Sequence, residues 1–320
     1  MDSINTNQIV FWGPLRSGKT WLFNAFLKKI EILNNKLSKD YSLVAQQRIE
    51  GQWRDVDQVE NFKVEPTRDL KQYQYRLLRK KLGRGPSAEV NTHCNEILVV
   101  DNTGGAFDGS NLNEAVVEQA KELVRSAKYL VLSLNSGLDE NTTSGAIVEN
   151  LLDLSNIINR GESGKYIAAC LTKVDTLGEE LVVEFYNRSR NELKSLLIRS
   201  FGAKYVDKID DVLKEIERKG TNHVKLFATS ATGYYYLNER KVQNIASDMG
   251  TLADPSLWKP EEVEKPFFWL FDVMERERLK YLSSNWSIFQ TLMGRNTITE
   301  SRQAAYIPYE MLVRIAQAQT

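Results

Sequence analysis

Residues 13–20 have the composition and spacing of a loop that binds phosphate groups. They read GPLRSGKT, which satisfies the P-loop pattern G-x-x-x-x-G-K-[ST]. Glycine lets the backbone wrap closely enough for N–H groups to point at phosphate oxygens, and a following helix adds a favourable dipole. In this pattern the lysine meets the outer phosphates and the threonine hydroxyl ligates magnesium. The predicted phosphate-binding residues are Gly13, Ser17, Gly18, Lys19 and Thr20.

Three further polar motifs follow apolar runs along the chain. They are Asp101 and Gly104 in D-x-x-G, Thr172, Lys173 and Asp175 in T-K-x-D, and the pair Ser230 and Ala231. After the run EILVV, the Asp101 carboxylate would hold a magnesium-bound water and the Gly104 N–H would face the terminal phosphate. A P-loop alone does not distinguish adenine from guanine, so the other two motifs must decide which base is bound.

These motifs need a sheet that brings them to one edge. Short apolar runs alternate with segments of helical periodicity, which predicts an α/β fold with mostly parallel strands. The predicted strands are residues 8–12, 71–79, 96–100, 128–134, 165–171 and 224–229, and the predicted helices are 19–37, 112–127, 144–159, 180–200, 207–219 and 262–281. The alternating run 71–79 predicts an edge strand beside the almost wholly apolar, buried strand 96–100.

The order and placement of these motifs resemble the translation-factor and Ras-like (TRAFAC) class of P-loop GTPases over residues 8 to 281. The resemblance implies a three-layer Ras-like fold. Its sheet would have about six mostly parallel strands and one antiparallel edge strand, with helices on both faces and a helical C-terminal tail. The implied ligands are GTP or GDP with Mg²⁺.

The same resemblance assigns the residues that read the base. Asp175 would accept two hydrogen bonds from the N1 and N2 donors of guanine, and Lys173 would cover the face of the base. The backbone of Ser230 and Ala231 would receive the O6 oxygen. Adenine has no such donor pair, and a site built around these bonds rejects an analogue without them by roughly 10⁴ or more. Thr172 stands where asparagine is more usual, as it also does in Rho-like members.

A threonine ahead of the edge strand completes the magnesium shell in this class, and Thr67 is the best-placed candidate here. Pro66 before it would keep the loop extended. The segment between the P-loop and Thr67 is longer than in small Ras-like proteins. Its polar part, residues 38–64, is predicted to contain a helix around QQRIEGQWRDVDQVENF and to act as a solvated lid, with a partner-binding insert as the alternative.

The catalytic residues depart from the Ras pattern. Gly105 stands where Ras-like enzymes carry a glutamine that orients the attacking water, and glycine has no side chain for that task. Arg16 matches the P-loop arginine of guanylate-binding proteins, where dimerisation folds it over the phosphates. By that resemblance Arg16 would join Lys19 and Thr67 in catalysis as an arginine finger in cis, worth roughly 10³ to 10⁵ in rate. The alternative is a solvent-facing arginine that raises the local positive potential.

Composition limits the classes of partner. Forty-two basic residues balance 42 acidic ones, so the overall charge gives no sign of nucleic-acid binding. Two cysteines, Cys94 and Cys170, predict a reducing compartment without disulfides, and no apolar window reaches the roughly 18 residues of a membrane span. His93 and Cys94 are interpreted as part of a polar surface turn. Composition therefore predicts a cytoplasmic protein. The resemblance implies that it binds a guanine nucleotide, and a protein partner or a second copy of itself is also expected.

The predicted domain organisation is a GTPase domain over residues 1–281 and a helical tail over 282–320. The tail contains an apolar cluster around residues 286–293 and a predicted helix after Pro308. It would pack on its own GTPase domain or dock a partner. The final domain helix and the overall length resemble bacterial double-GTPase-type proteins of conflict or regulatory systems.

Three functions are consistent with the sequence. The first is a Mg²⁺-dependent, GTP-hydrolysing switch that controls a partner protein and turns over slowly without a partner or dimerisation. The second is a GTP-binding scaffold that hydrolyses negligibly because Gly105 leaves the water unheld. The third is an ATP-using P-loop enzyme in which the T-K-x-D string is coincidental.

Overall fold

The fold is described from a computed structural model of the 320-residue chain. It describes residues 7–13, 17–37, 39–56, 71–81, 91–101, 114–135, 144–161, 163–174, 203–220, 222–237, 240–245, 251–293 and 308–318. The predicted helix at 180–200 lies outside these ranges. All statements about structure below concern the described residues.

Strands and helices alternate along most of the chain. The elements are β1 (Asn7–Trp12), α1 (Lys19–Lys36), β2 (Tyr41–Ile49), β3 (Gln52–Asp55), β4 (Lys71–Lys81), β5 (Asn91–Asp101), α2 (Glu114–Ser126), β6 (Tyr129–Asn135), α3 (Ser144–Asn159), β7 (Tyr166–Thr172), α4 (Ala203–Gly220), β8 (His223–Ala228), β9 (Tyr234–Leu237), β10 (Arg240–Gln243), α5 (Glu264–Met293) and α6 (Tyr309–Gln317). A short 3₁₀ helix spans Pro255–Leu257.

The main sheet has eight strands in the order β3-β2-β4-β5-β1-β6-β7-β8. Strands β5, β1, β6, β7 and β8 run parallel, whereas β4, β2 and β3 are joined antiparallel to their neighbours. The chain leaves β1 towards one side of the sheet and returns to its other side at β6. This reversal creates a crevice beyond the carboxyl end of β1, where ligands of open α/β sheets bind.

Helices cover both faces of the parallel part of the sheet. Alternate residues of β1 separate the two layers, because Ile9 and Phe11 join one buried cluster and Val10 and Trp12 join the other. The first cluster contains side chains of α1, α5 and α6, and the second contains side chains of α2, α3 and α4. This arrangement confirms the predicted three-layer α/β fold with a mostly parallel sheet.

The antiparallel part of the sheet differs from the prediction in detail. Residues 46–55, predicted to be helical, lie in the hairpin of β2 and β3. Glu50 and Gly51 form its turn, with φ angles of 51° and 80°, the positive values that a two-residue type I′ hairpin turn requires. The run at 71–79 is therefore an internal strand and not an edge, because β4 pairs with β2 on one side and β5 on the other.

Strand β5 is longer than the sequence indicated. It begins at Asn91, so His93 and Cys94 lie within a strand and not in a surface turn. The first half of β5, NTHCNE, is mostly polar and gives no strand signal. Only the run ILVV in its second half is continuously apolar. Cys94 is exposed and Cys170 is buried, and both are free thiols.

The C-terminal helices pack against the same layer as α1. Helix α5 continues to Met293. The predicted boundary of the first domain at residue 281 therefore lies inside this helix. Tyr309 at the start of α6 is fully buried and stacks on Phe268 at a centroid distance of 4.5 Å. The same ring lies 4.0 Å beneath the guanidinium of the buried Arg79, and its hydroxyl donates to Asn95 Oδ1 at 3.1 Å. In the part of the chain that the structure describes, no helix is long and apolar enough to cross a membrane.

Candidate functional site

The described part of the P-loop closes around the amino end of α1. The Lys19 Nζ donates to the Gly13 carbonyl oxygen at 2.9 Å, so the lysine side chain folds back across the loop. Gly18 precedes the helix with φ 85°, a left-handed conformation that favours glycine. Burial lowers the pKa of Lys19 from 10.5 to about 8, although the nearby Asp101 carboxylate raises it. An anionic group bound beside Lys19 would favour its charged form.

Gly13 has no room for a side chain. A Cβ atom there would lie 2.6 Å from the Ser133 carbonyl oxygen and 2.8 Å from the Ser17 hydroxyl. Strand β6 therefore supports the P-loop from the side, through a residue that the sequence patterns did not single out. The P-loop consensus predicted glycine at this place, but no local signal identified Ser133 as its neighbour.

The Thr20 hydroxyl and the Asp101 carboxylate form a pair of oxygen groups beside the loop. Thr20 Oγ1 donates to Asp101 Oδ2 at 2.6 Å, across 81 residues of sequence. Parallel pairing of β1 with β5 explains the proximity, since Asp101 lies opposite Phe11 at the same edge of the sheet. Hydroxyl and carboxylate oxygens are hard ligands, and they fit the preference of Mg²⁺.

The T-K-x-D motif contacts the P-loop directly. The single Thr172 hydroxyl hydrogen can be donated to the Ser17 carbonyl oxygen, 2.5 Å from Oγ1, and the Leu134 carbonyl oxygen at 3.2 Å is the second acceptor within reach. Thr172 also lies beside Gly18, because its side-chain carbon is 3.7 Å from where a Gly18 Cβ would stand. The threonine that replaces the more usual asparagine therefore joins the phosphate loop to the end of β7.

The two motifs predicted to read the base end neighbouring parallel strands. Lys173 follows β7 with φ 58°, a left-handed conformation that is uncommon for a lysine. The Val174 N–H donates to the Thr229 carbonyl oxygen at 3.4 Å, which places the T-K-x-D loop beside the residue preceding Ser230. Ser230 is fully buried and Ala231 is partly buried.

The structure thus brings together the described members of the predicted site. Gly13, Ser17, Gly18, Lys19, Thr20, Asp101, Thr172, Lys173, Ser230 and Ala231 all lie at the carboxyl ends of β1, β5, β7 and β8 or at the start of α1. Four further predicted residues, Arg16, Thr67, Gly104 and Asp175, lie outside the described residues. Their places in the site remain predictions from the sequence.

The fold and this loop arrangement define an open α/β protein with a P-loop signature at the topological switch point of its sheet. No protein-family model matches the chain. No curated protein matches it either.

Several solved structures are similar to this chain. The signal recognition particle receptor SRβ-GTP/SRX complex from Chaetomium thermophilum shares 13% identity over 72% of this chain and 92% of that chain, with a TM-score of 0.42. The Arl6 BBS3 small GTPase from Trypanosoma brucei, with bound GppNp, shares 12% identity over 85% and 99% of the two chains, with a TM-score of 0.40. A GTP-binding protein from Sulfolobus solfataricus in complex with GDP shares 17% identity over 70% of this chain and 47% of its own length, with a TM-score of 0.30. This chain therefore spans about half the length of the Sulfolobus protein.

If the P-loop binds phosphate as its pattern predicts, Gly13→Ala is expected to weaken binding of nucleoside triphosphate about fivefold or more. The added methyl group must displace the Ser133 carbonyl or the P-loop, and overpacking of this kind costs about 1–3 kcal/mol. Fluorescence titration with a labelled nucleotide measures the change. Gly51→Ala is the control for backbone strain without crowding, since alanine is strained at φ 80° in the β2–β3 turn but its Cβ would meet nothing within 4 Å. Equal affinities for the two variants would show that the P-loop does not depend on the close approach of Gly13 to β6.

Proposed function

We propose that this chain binds a guanine nucleotide with Mg²⁺ and hydrolyses GTP, using the two nucleotide states to control a protein partner or a second copy of itself. The observation that carries the proposal is the contact of Thr172 with Ser17, because it joins the T-K-x-D motif to the P-loop. One nucleotide can span such a pair, because its phosphates and base lie at opposite ends of the same molecule.

The phosphates would bind at the amino end of α1. Lys19 would leave the Gly13 carbonyl for the β and γ phosphates, and the backbone N–H groups of the loop would hold the remaining oxygens. Thr20, Asp101 and Thr67 are the proposed magnesium-holding residues. When bound, Mg²⁺ would neutralise developing charge on the phosphates.

The base would bind between the loops that follow β7 and β8. Asp175 would accept the N1 and N2 hydrogens of guanine, while Lys173 would cover the base and the Ser230–Ala231 backbone would donate to O6. Thr172 holds this region against the P-loop through Ser17 and Leu134. This contact would set the distance between the phosphate and base subsites.

Hydrolysis would depend on Arg16, because Gly105 cannot orient water with a side chain. Arg16 would stabilise charge in the transition state and would act when a partner or a second copy binds. Slow intrinsic turnover follows from this arrangement. Gly105 also favours a second candidate function, a GTP-binding scaffold with negligible hydrolysis.

Phosphate release under single-turnover conditions tests this assignment. GTP and ATP are each mixed with excess protein and Mg²⁺, and Lys19→Ala protein measures contaminating activity. We expect release from GTP above that background and no release from ATP. Tight GTP binding without release would favour the scaffold, and release from ATP alone would overturn the guanine assignment.

Thr20→Val is expected to reduce the stimulation of GTP binding by Mg²⁺ at least about tenfold. Valine keeps the branched shape but removes the hydroxyl that donates to Asp101, and one charge-assisted contact is worth about 1.5–3 kcal/mol. Titrating Mg²⁺ at fixed GTP measures the effect. Thr229→Val, which removes a hydroxyl bonded to the Leu171 carbonyl instead, is the control. If both variants kept the wild-type Mg²⁺ dependence, Thr20 would not be a magnesium-holding residue.

A further inference from the structure

The loop that follows β8 is attached to a segment just before α5. Ser230 exchanges two backbone hydrogen bonds with Glu261, at 3.0 Å for the Ser230 N–H and 2.9 Å for the Glu261 N–H. Three residues on, Gly233 approaches the same segment so closely that a Cβ there would lie 2.0 Å from the Lys259 carbonyl oxygen. Residues 258–261 therefore act as a support for the loop 230–233.

Trp258 makes the side-chain contact in this support. Its indole Nε1 donates to the Ala231 carbonyl oxygen at 2.8 Å, and the ring is 3% exposed. The same ring meets Trp21 edge-to-face at a centroid distance of 5.9 Å. Trp21 follows Thr20 in the first turn of α1. Trp258 thus bridges the helix that carries the P-loop lysine and the loop predicted to contact the base.

Both peptide groups around Ala231 are held by this segment. The Ser230 carbonyl accepts from the Glu261 N–H, and the Ala231 carbonyl accepts from Trp258. A trans peptide is planar, with its C=O and N–H pointing in opposite directions. The Ala231 N–H belongs to the same peptide as the Ser230 carbonyl. It must therefore point away from residue 261, and the hydrogen bond between the Glu261 N–H and the Ser230 carbonyl fixes its direction.

Trp258 is itself held in place by a buried polar contact. Asn244 is fully buried, donates to the Asp254 carbonyl at 2.8 Å and accepts from the Asp254 N–H at 2.8 Å. The Asp254 side chain then accepts from the Ser256 N–H and caps the 3₁₀ helix that ends one residue before Trp258. The capped 3₁₀ helix therefore fixes the backbone that precedes Trp258, and the contact with Trp21 fixes the indole ring.

We propose that Trp258 is a positioning residue for recognition of the 6-oxo group of the purine base. Trp258 holds the peptide that follows Ala231, through the Ala231 carbonyl, while the Glu261 N–H holds the peptide that carries the Ala231 N–H. The two bonds together set the position of Ala231, and so of its N–H, relative to the oxygen that distinguishes a 6-oxopurine from a 6-aminopurine or 6-thiopurine. The inference rests on the proposed function, because it assigns a specificity role within the same site.

Replacing Trp258 with phenylalanine removes the N–H donor and keeps an aromatic ring against Trp21. The affinities of wild-type and variant protein are measured for GDP, for 6-thio-GDP and for inosine diphosphate. Sulfur is a weak acceptor, so 6-thio-GDP keeps both donors of the base and loses most of the O6 contact. Inosine diphosphate keeps O6 and lacks the 2-amino donor. Trp269→Phe is the matched control, because Trp269 packs in the same helical layer against Phe227 and Tyr166.

In the wild type we expect GDP to bind about five- to tenfold more tightly than 6-thio-GDP, since one net hydrogen bond is worth about 1 kcal/mol. In Trp258→Phe this ratio is expected to fall at least about twofold, because the carbonyl side of Ala231 loses its donor while the Glu261 bond to Ser230 remains. The affinity of Trp258→Phe for 6-thio-GDP should differ from that of the wild type by less than about twofold. The ratio of its affinities for GDP and inosine diphosphate should equal the wild-type ratio. A general loosening of the fold would lower all three affinities together and leave the ratios unchanged, and that result would overturn the proposal.

The test separates failure of this inference from failure of the proposed function. Wild-type protein that does not bind GDP contradicts the proposed function, whereas wild-type discrimination retained in full by Trp258→Phe contradicts the role of Trp258 alone. If Trp258→Phe does not fold, 3-benzothienylalanine at position 258 replaces the N–H with sulfur at nearly the same shape. That protein must then show the same fall in the ratio of its affinities for GDP and 6-thio-GDP.

Discussion

Lys19→Ala is expected to lower the affinity for GTP about 100- to 1,000-fold. The lysine is 6% exposed and bonded to the loop that would cradle the phosphates. Its loss would remove charge-assisted hydrogen bonds to the outer phosphates, which are worth about 1.5–3 kcal/mol each. Titration with a fluorescent GTP analogue, followed by competition with unlabelled GTP, measures the change.

Lys165→Ala is the matched control for this experiment. Lys165 is 1% exposed and donates to the carbonyl oxygens of Arg125 and Ala127 at 2.6 and 2.7 Å, just before β7 begins. It therefore lies at the end of the sheet opposite the P-loop. We expect its loss to lower thermal stability and to leave GTP affinity within about twofold of wild type, allowing for the scatter of such measurements. A Lys19→Ala protein that bound GTP as tightly as Lys165→Ala would contradict the assignment of the phosphate site.

Asp175→Asn is expected to weaken GDP binding about 100-fold or more and to improve the binding of xanthosine diphosphate. The carboxylate would accept from N1 and N2 of guanine, and an unpaired polar group in such a site is costly. Xanthine carries an oxygen where guanine has its 2-amino group, and the asparagine amide can donate to that oxygen. Competition binding with the two diphosphates measures the exchange of preference.

Asp211→Asn serves as the control, because Asp211 is an exposed residue of α4 that carries the same chemical change. It is expected to leave both affinities unchanged. An Asp175→Asn protein with wild-type affinity for GDP would show that the T-K-x-D motif does not read the base. The P-loop and its magnesium-holding residues would then have to be interpreted without a guanine preference.

Much of the parallel core followed from local sequence signals. Helix α3 occupies the predicted range, and the ends of β6 and β7 lie within about one residue of prediction because apolar runs mark buried parallel strands. The P-loop pattern also predicted the strand–loop–helix arrangement around Lys19. These features depend on residues close together in the chain, and for this reason the sequence shows them.

The antiparallel hairpin was missed because its signals are weak. Its turn uses Glu50–Gly51 in place of the more recognisable Asn-Gly or Asp-Gly, and only Leu43 and Ala45 of β2 are buried. Polar side chains dominate the rest of the hairpin, so the segment resembled a solvated helix. Pairing with β4, which lies beyond residue 70, determines its strand conformation.

The supporting residues of the site were missed for a different reason. Trp258 and Ala231 are 27 residues apart, and Gly13 meets Ser133 across the sheet. Neither contact leaves a pattern in the surrounding residues. Arg79 is similar, since its burial against the Tyr309 ring depends on the packing of α6 against the strands. Such contacts follow from the fold, and single-sequence motifs do not contain them.

The central claim is that one nucleotide contacts the P-loop and the base-reading loops together. Calorimetric titration of nucleotide-free protein with GDP and with ADP, both with Mg²⁺, tests this claim most directly, because the two ligands share their diphosphate and differ in the base. We expect GDP to bind at least about 10⁴-fold more tightly than ADP, since the site would be built around donors that adenine lacks. Equal affinity for GDP and ADP would contradict it.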